Sequence, residues 1–149
     1  MNKEQVLDRL QRDWKTFLAS FEGLPVSALL EPNVVGWWSV RDVLAHITTW
    51  DEEKLKILPL LLEGKLLHRR YSSFNAFNAQ EQERKRYLSL DQVKQELAAT
   101  HEKLVASLAG FPENAYTKGK RLPRSLRLTW NHYQEHATQI TAWRTERKL

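Results

Sequence analysis

The stretch Trp38 to Gly64, "WSVRDVLAHITTWDEEKLKILPLLLEG", decides the fold class. Its apolar residues Val40, Val43, Leu44, Ile47, Trp50, Leu55, Ile57 and Leu58 recur mainly at i, i+3 and i+4. That is the period of an α-helix and not the alternation of a half-buried strand. Set at about 100° per residue, they cover roughly half of the helix cylinder. Ser39 is placed to cap the first turn, and Asp42 three residues on can return the bond. Pro59 falls inside the span and predicts a kink or an early end, because proline lacks the amide proton that the helix needs.

The same period recurs outward in both directions. Lys3 to Glu22 carries Val6, Leu7, Leu10, Trp14, Phe17, Leu18 and Phe21 on one face, and Gly23 and Pro25 end it. A third helix starts at Ser89, whose "SLDQ" reads as a capping box, and runs to about Leu108 ahead of Gly110 and Pro112. Its apolar stripe is Val93, Leu97, Leu104 and Leu108. A fourth spans about Ser125 to Lys148. Between the second and third lies a crossover, Leu66 to Leu88, whose later part ("FNAQEQERKRY") is helical in character. The expected fold is all-α: a four-helix bundle with one long crossover between helices 2 and 3.

Composition agrees. The chain has 149 residues, enough for one domain over 1–149 with a proper core. Hydrophobic residues at 42% and charged residues at 28% exclude a disordered chain. The longest apolar run, Ile57 to Leu62, is too short to span a bilayer, so no membrane is expected as a partner. The N-terminal "MNKEQVLDRLQRDWK" has no apolar signal core, and the default expectation is a soluble cytoplasmic protein. Absence of cysteine removes disulfides, thiolate zinc sites and a thiol nucleophile.

The net charge of +5 has a local source. Lys118 to Arg127, "KGKRLPRSLR", carries Lys118, Lys120, Arg121, Arg124 and Arg127 and no acid. It reads as a solvated basic loop before a helix, or as an anion site for a carboxylated or phosphorylated small molecule. No helix-turn-helix, zinc-finger or RNA-binding signature accompanies it, which ranks nucleic-acid association through this loop as the weakest reading, with nucleic acid an unlikely partner.

Three histidines attract attention. His132 and His136, in "TWNHYQEHATQI", lie four apart at one edge of the apolar arc formed by Leu126, Trp130, Tyr133, Ala137, Ile140 and Trp143. Side chains at that spacing point the same way, about 6 Å apart at Cβ. His46 falls at the margin of the second helix's apolar arc, on the side of Trp50 and Ile57. Three imidazoles with an open position make a catalytic zinc site. Equally, histidines at the edge of a core are commonly just hydrogen-bonded there. His101, between Leu97 and Leu104, reads as a packed residue, and His68 as a solvated one.

His132-Tyr-Gln-Glu135-His136 also matches H-x-x-E-H, an inverted zinc-peptidase motif. Such enzymes need a third ligand and a substrate-binding sheet or lobe, and this chain has no strand pattern. Glu135 is turned roughly 100° from His136, toward solvent. The peptidase reading is rejected.

Several stretches together resemble the DinB-like superfamily, in its ClbS/DfsB branch. "EPNVVGWWSVRDVLAHITTWDEE" (31–53) is similar to that branch's second helix, with a Gly-x-Trp-Ser cap, a "VLAH" segment and a Trp before an acid. "NHYQEHATQI" (131–140) is similar to its last helix, and "FNAFNAQEQERKRYLSLDQVKQEL" (74–97) to its crossover. The resemblance runs along most of the chain. It implies a four-helix bundle, often a homodimer, with a divalent metal (zinc, nickel or manganese) on three histidines that correspond here to His46, His132 and His136. Superfamily members include metal-dependent thiol transferases and a mycothiol-dependent isomerase. The branch takes its name from a resistance protein that hydrolyses the electrophilic cyclopropane of a genotoxic metabolite.

The implied function is a hydrolase or thiol transferase for a reactive electrophilic small molecule, with a low-molecular-weight thiol as possible cosubstrate. The alternative is a metal-free protein that binds and sequesters such a molecule. Asp51 and Glu135 are candidates for a base or for a group that orients a metal-binding histidine, and Trp38, Trp50, Tyr133 and Trp143 for pocket walls; each reads equally as surface or core. The chain departs from the branch between Phe111 and Trp130, where the basic "KGKRLPR" replaces a longer loop.

Overall fold

A computed structural model describes residues 1–65 and 71–149; the expectation for His68 lies outside them. Helices run α1 Lys3–Phe21, α2 Val26–Leu29, α3 Val40–Leu62, α4 Phe74–Lys85, α5 Leu90–Ala109 and α6 Arg121–Glu146, with a 3-10 turn at Glu113–Tyr116 before α6. No strand occurs among the described residues. The four long helices α1, α3, α5 and α6 form the bundle, and α4 lies in the crossover between α3 and α5. In packing, α1 lies chiefly on α6, and α3 on α5 and α6.

The starts of these helices follow from the local sequence. Ser39 Oγ accepts from the Asp42 amide while Asp42 accepts from the Ser39 amide, a closed capping box. Ser89 and Gln92 do the same for α5. The early end expected at Pro59 does not occur: α3 continues to Leu62. Only one turn remains beyond the proline, so the ring disturbs a helix that is already ending. The last helix begins at Arg121, earlier than periodicity indicated. Arg121, Arg124 and Arg127 therefore ride on its first turns instead of in a loop.

One core joins all four long helices. It includes Val6, Leu10 and Phe17 of α1, Val43, Leu44 and Ile47 of α3, Leu104 and Leu108 of α5, and Leu126, Tyr133 and Ile140 of α6, each fully buried. Helix α4 sets Phe74 and Phe77 edge-on against Trp50 and is otherwise held by polar side chains. Buried Arg41 donates to the carbonyls of Lys85 (2.6 Å) and Leu88 (2.8 Å). Lys85 donates to Thr49 Oγ1 (2.8 Å) and Glu52 Oε1 (2.5 Å), and Trp50 Nε1 donates to Asn78 Oδ1 (2.9 Å). Arg41→Ala strands two carbonyls that a charged donor had satisfied. It should lower unfolding stability by roughly 3 kcal/mol, read as a fall in urea midpoint at constant slope. An unchanged midpoint would show that water replaces the guanidinium without loss.

A tight hairpin aims one aromatic residue at the histidines. The Trp38 amide donates to the Val35 carbonyl (2.9 Å) and the Val35 amide to the Trp38 carbonyl (3.2 Å). Gly36 takes φ +57°, a value that side chains disfavour at the first turn position. The turn leaves Trp37 88% exposed and packs the Trp38 ring 4.6 Å from the His46 ring.

Candidate metal centre and its cleft

His46 reaches the site from the second turn of α3, while His132 and His136 reach it from successive turns of α6. His46 Nε2 stands 2.8 Å from His132 Nε2, and His136 Nε2 stands 3.0 Å from His132 Nε2. One nitrogen of each ring falls within 4.8 Å of the others. The rings are mutually steep, at 79°, 87° and 67° between planes, so each points its edge at a shared centre. His136 Nδ1 lies 2.7 Å from Gln139 Oε1, and an N–H there donates to the amide oxygen. That bond sets the tautomer and leaves the Nε2 lone pair facing the other two histidines.

Burial is the main reason why these rings resist protonation. It pushes His46 down to about 3 and His132 to about 2, and lowers His136 as well, with mutual repulsion adding to the first two. Three neutral imidazoles thus turn nitrogen toward nitrogen. Because His136 Nε2 carries no proton, a proton on His46 Nε2 leaves His132 and His136 lone pair to lone pair, and a proton on His132 Nε2 must be split between two acceptors. A cation among the nitrogens resolves that conflict, and the all-imidazole donor set suits a borderline divalent ion.

A cleft of about 730 Å³ opens beside His132 between α3 and α6. Trp50, Ile57, Tyr71, Phe74 and Leu128 give it apolar walls. Trp50, Tyr71 and Phe74 meet edge-on or tilted, with ring centres 5.6–5.7 Å apart. Polar groups converge from Asp51, Lys54, Ser125, Thr129 and Glu135. Burial pushes the Asp51 carboxyl up to about 7, against the opposing pull of its bond from Tyr133 Oη (2.7 Å). Burial also holds the Lys54 ammonium down at about 8. Lys54 Nζ bonds the Ser125 carbonyl (3.0 Å) and contacts Ser125 Oγ.

Behind the cleft, Tyr133 Oη also lies 3.2 Å from His101 Nδ1, and the His101 ring stacks on Trp14 at 3.8 Å. His101 is therefore a packed core residue.

The candidate residues distribute unevenly. Trp50, Asp51 and Glu135 line the cleft, with Glu135 exposed at its rim. Trp38 packs on His46. Tyr133 is wholly buried behind Asp51, and Trp143 is half-buried against the core, so neither faces the cleft. Lys54, Ser125 and Gln139 were not singled out from sequence. Lys54 and Ser125 are 71 residues apart and meet only through the packing of α3 on α6. Gln139 carried a legible signal, since it follows His136 by three on the same face.

Residues 9–140 match the model of the DinB superfamily. No curated protein matches the chain. Two solved structures share its fold. The crystal structure of the colibactin self-resistance protein ClbS in complex with a dsDNA aligns with a TM-score of 0.79 at 13% identity, over 96% of this chain and 95% of that one. The sibling lethal factor precursor DfsB aligns at 0.81 and 13%, over 99% and 98%. The ClbS complex overturns the expectation that nucleic acid is an unlikely partner. A missing motif was a poor guide, because phosphate backbones are bound by clustered positive charge and need no sequence signature.

Proposed function

The chain belongs to the DinB superfamily, and on that premise we propose that it is a divalent-metal-dependent enzyme acting on a reactive electrophilic small molecule, as a hydrolase or a thiol transferase. One observation carries the reading: three neutral imidazole nitrogens converge beside an apolar cleft. His46, His132 and His136 would hold zinc, nickel or manganese through Nε2. Bound there, such an ion would supply Lewis acidity, enough to turn water or a low-molecular-weight thiol into a nucleophile near neutral pH.

The chain's own residues do the rest. Gln139 fixes the His136 tautomer, and Trp38 restrains the His46 ring. The aromatic wall of Trp50, Tyr71 and Phe74 takes the apolar body of the substrate and keeps water from it. Asp51, near 7, is poised to take or give a proton, with Tyr133 holding its carboxylate in place. Glu135, at the rim, is the second candidate base.

The test is turnover of epoxide and activated-cyclopropane probes by protein loaded with each ion, with and without thiol. Asp51→Asn should cut kcat/KM by about 100-fold or more, as expected for loss of a general base. Binding without turnover, unaffected by chelation, would leave sequestration as the function.

A second reading rests on the basic segment. Lys118 and Lys120 precede α6, and Arg124 and Arg127 project from its first turns, all four exposed. Together with the ClbS complex, this supports contact with duplex DNA through phosphates. Arg124→Glu/Arg127→Glu should weaken binding to any duplex and flatten the slope of log affinity against log salt by about 2. An unchanged slope in fluorescence anisotropy would remove this face as the contact.

A further inference from the structure

The polar floor of the cleft holds a pair of groups that the metal reading does not use. Lys54, on α3 one turn beyond Asp51, crosses to α6 and meets Ser125 twice, at the carbonyl oxygen (3.0 Å) and at Oγ. Ser125 is 9% exposed, and it opens onto the cleft together with Lys54. The double contact fixes the amine's direction. A neutral lysine has two N–H groups and one lone pair. With one N–H donated to the Ser125 carbonyl, the lone pair is free to accept the Ser125 hydroxyl proton.

We propose that Ser125 and Lys54 form a serine–lysine acyl-transfer dyad, with Ser125 Oγ as nucleophile and Lys54 Nζ as general base, for esters or related acyl compounds with an apolar acyl group. Walls of Trp50, Ile57, Phe74 and Leu128 set that preference for the acyl group. Oγ bonds to the carbonyl carbon while its proton passes to Nζ. The tetrahedral adduct collapses, the bond to the leaving oxygen breaks, and Nζ returns the proton to that oxygen. Water then attacks the acyl-serine with Nζ as base, releasing the acid and restoring Ser125. Thr129, one turn further along α6 on the same wall, brings a hydroxyl that can donate to the oxyanion.

Burial assists, because an ammonium held near 8 gives up its proton in the neutral range. Asp51 and Glu53 from α3, His132 and Glu135 from α6, and Tyr71 are the other titratable groups at the cleft. Asp51 pulls the ammonium upward, the others lie along the walls, and the net effect of the site is the lowered value. The dyad needs no metal and does not rest on the metal reading.

The test is covalent labelling of the full chain by an alkyl fluorophosphonate, in which serine displaces fluoride from phosphorus. Labelling is run on chelator-treated wild type, on His132→Ala/His136→Ala, on Ser125→Ala and on Lys54→Met. The proposal expects one adduct per chain, mapped to Ser125, in the first two proteins. It expects none in Ser125→Ala and labelling at least about 100-fold slower in Lys54→Met. The wild-type rate should rise with pH and level off above about 8. An adduct elsewhere, none at all, or equal rates with and without Lys54 would overturn it.

A second readout guards against misfolded variants. The chain has no cysteine, so Ser125→Cys introduces a single thiol. Its iodoacetamide reactivity at pH 7 should fall about 10-fold or more when Lys54→Met is added, since the thiolate is the reactive form. No fall would show that Lys54 merely caps a carbonyl.

Discussion

Purified without an affinity tag, the protein should carry close to one divalent ion per chain, and the His132→Ala/His136→Ala variant should carry none. Elemental mass spectrometry beside a protein assay reads both values. The expectation follows from the donor set: three neutral nitrogens face one another within 4.8 Å, with Gln139 already fixing one tautomer. Binding to the folded form alone must also raise stability. At free ion 100 times Kd the gain is about 2.7 kcal/mol, which a thermal melt registers as a rise absent from the variant. Replacing Gln139 with Ala should weaken the ion by roughly 10-fold or more, as loss of an outer-shell partner does. Wild type that stays free of ion after incubation with zinc, nickel and manganese would sink the metalloenzyme reading. The cleft would then bind an apolar ligand or act through Ser125 and Lys54 without a metal.

Acidification gives the second large effect. His46, His132 and His101 titrate at about 3, 2 and 4 in the fold and near 6.5 in the unfolded chain. Below 6.5 the unfolded chain takes up protons that the native chain refuses. The stability contributed by each buried ring is therefore complete above 6.5 and drains away as pH falls toward its folded value. For His101 alone the loss by pH 4 is about 3 kcal/mol. Asp51 runs the other way. Its carboxyl, raised from 3.8 to about 7, takes its proton first in the native chain, so acid relieves its cost between those values. One carboxyl against several histidines leaves a net loss, and urea midpoints should fall steeply from pH 7 to pH 4.5. His101→Phe should flatten that dependence while keeping a ring on Trp14. A midpoint that holds or rises on acidification would mean that the histidines are wet and not buried.

What the sequence determined by itself was everything that repeats along a helix. The stripes of Val43, Leu44 and Ile47 and of Val93, Leu97 and Leu104 name their own period. Ser39 and Ser89 announce helix starts because capping is a bond between residues three apart. His132 and His136 were legible as a pair for the same reason. His46 was legible as a partner only as far as its place on the edge of an apolar arc allowed. The start of α6 at Arg121 was not legible, since Gly119, Pro123 and the basic run read as a loop although Leu122 continues the stripe of Leu126, Trp130 and Tyr133.

The tertiary structure alone decided which edges face each other. It brought His46 Nε2 to 2.8 Å from His132 Nε2, put Tyr133 behind Asp51 instead of in the cleft, and joined Lys54 to Ser125. Those contacts span 86, 82 and 71 residues. No local period encodes them, because the rotation and height of one packed helix against another are set by how all the core side chains interlock at once.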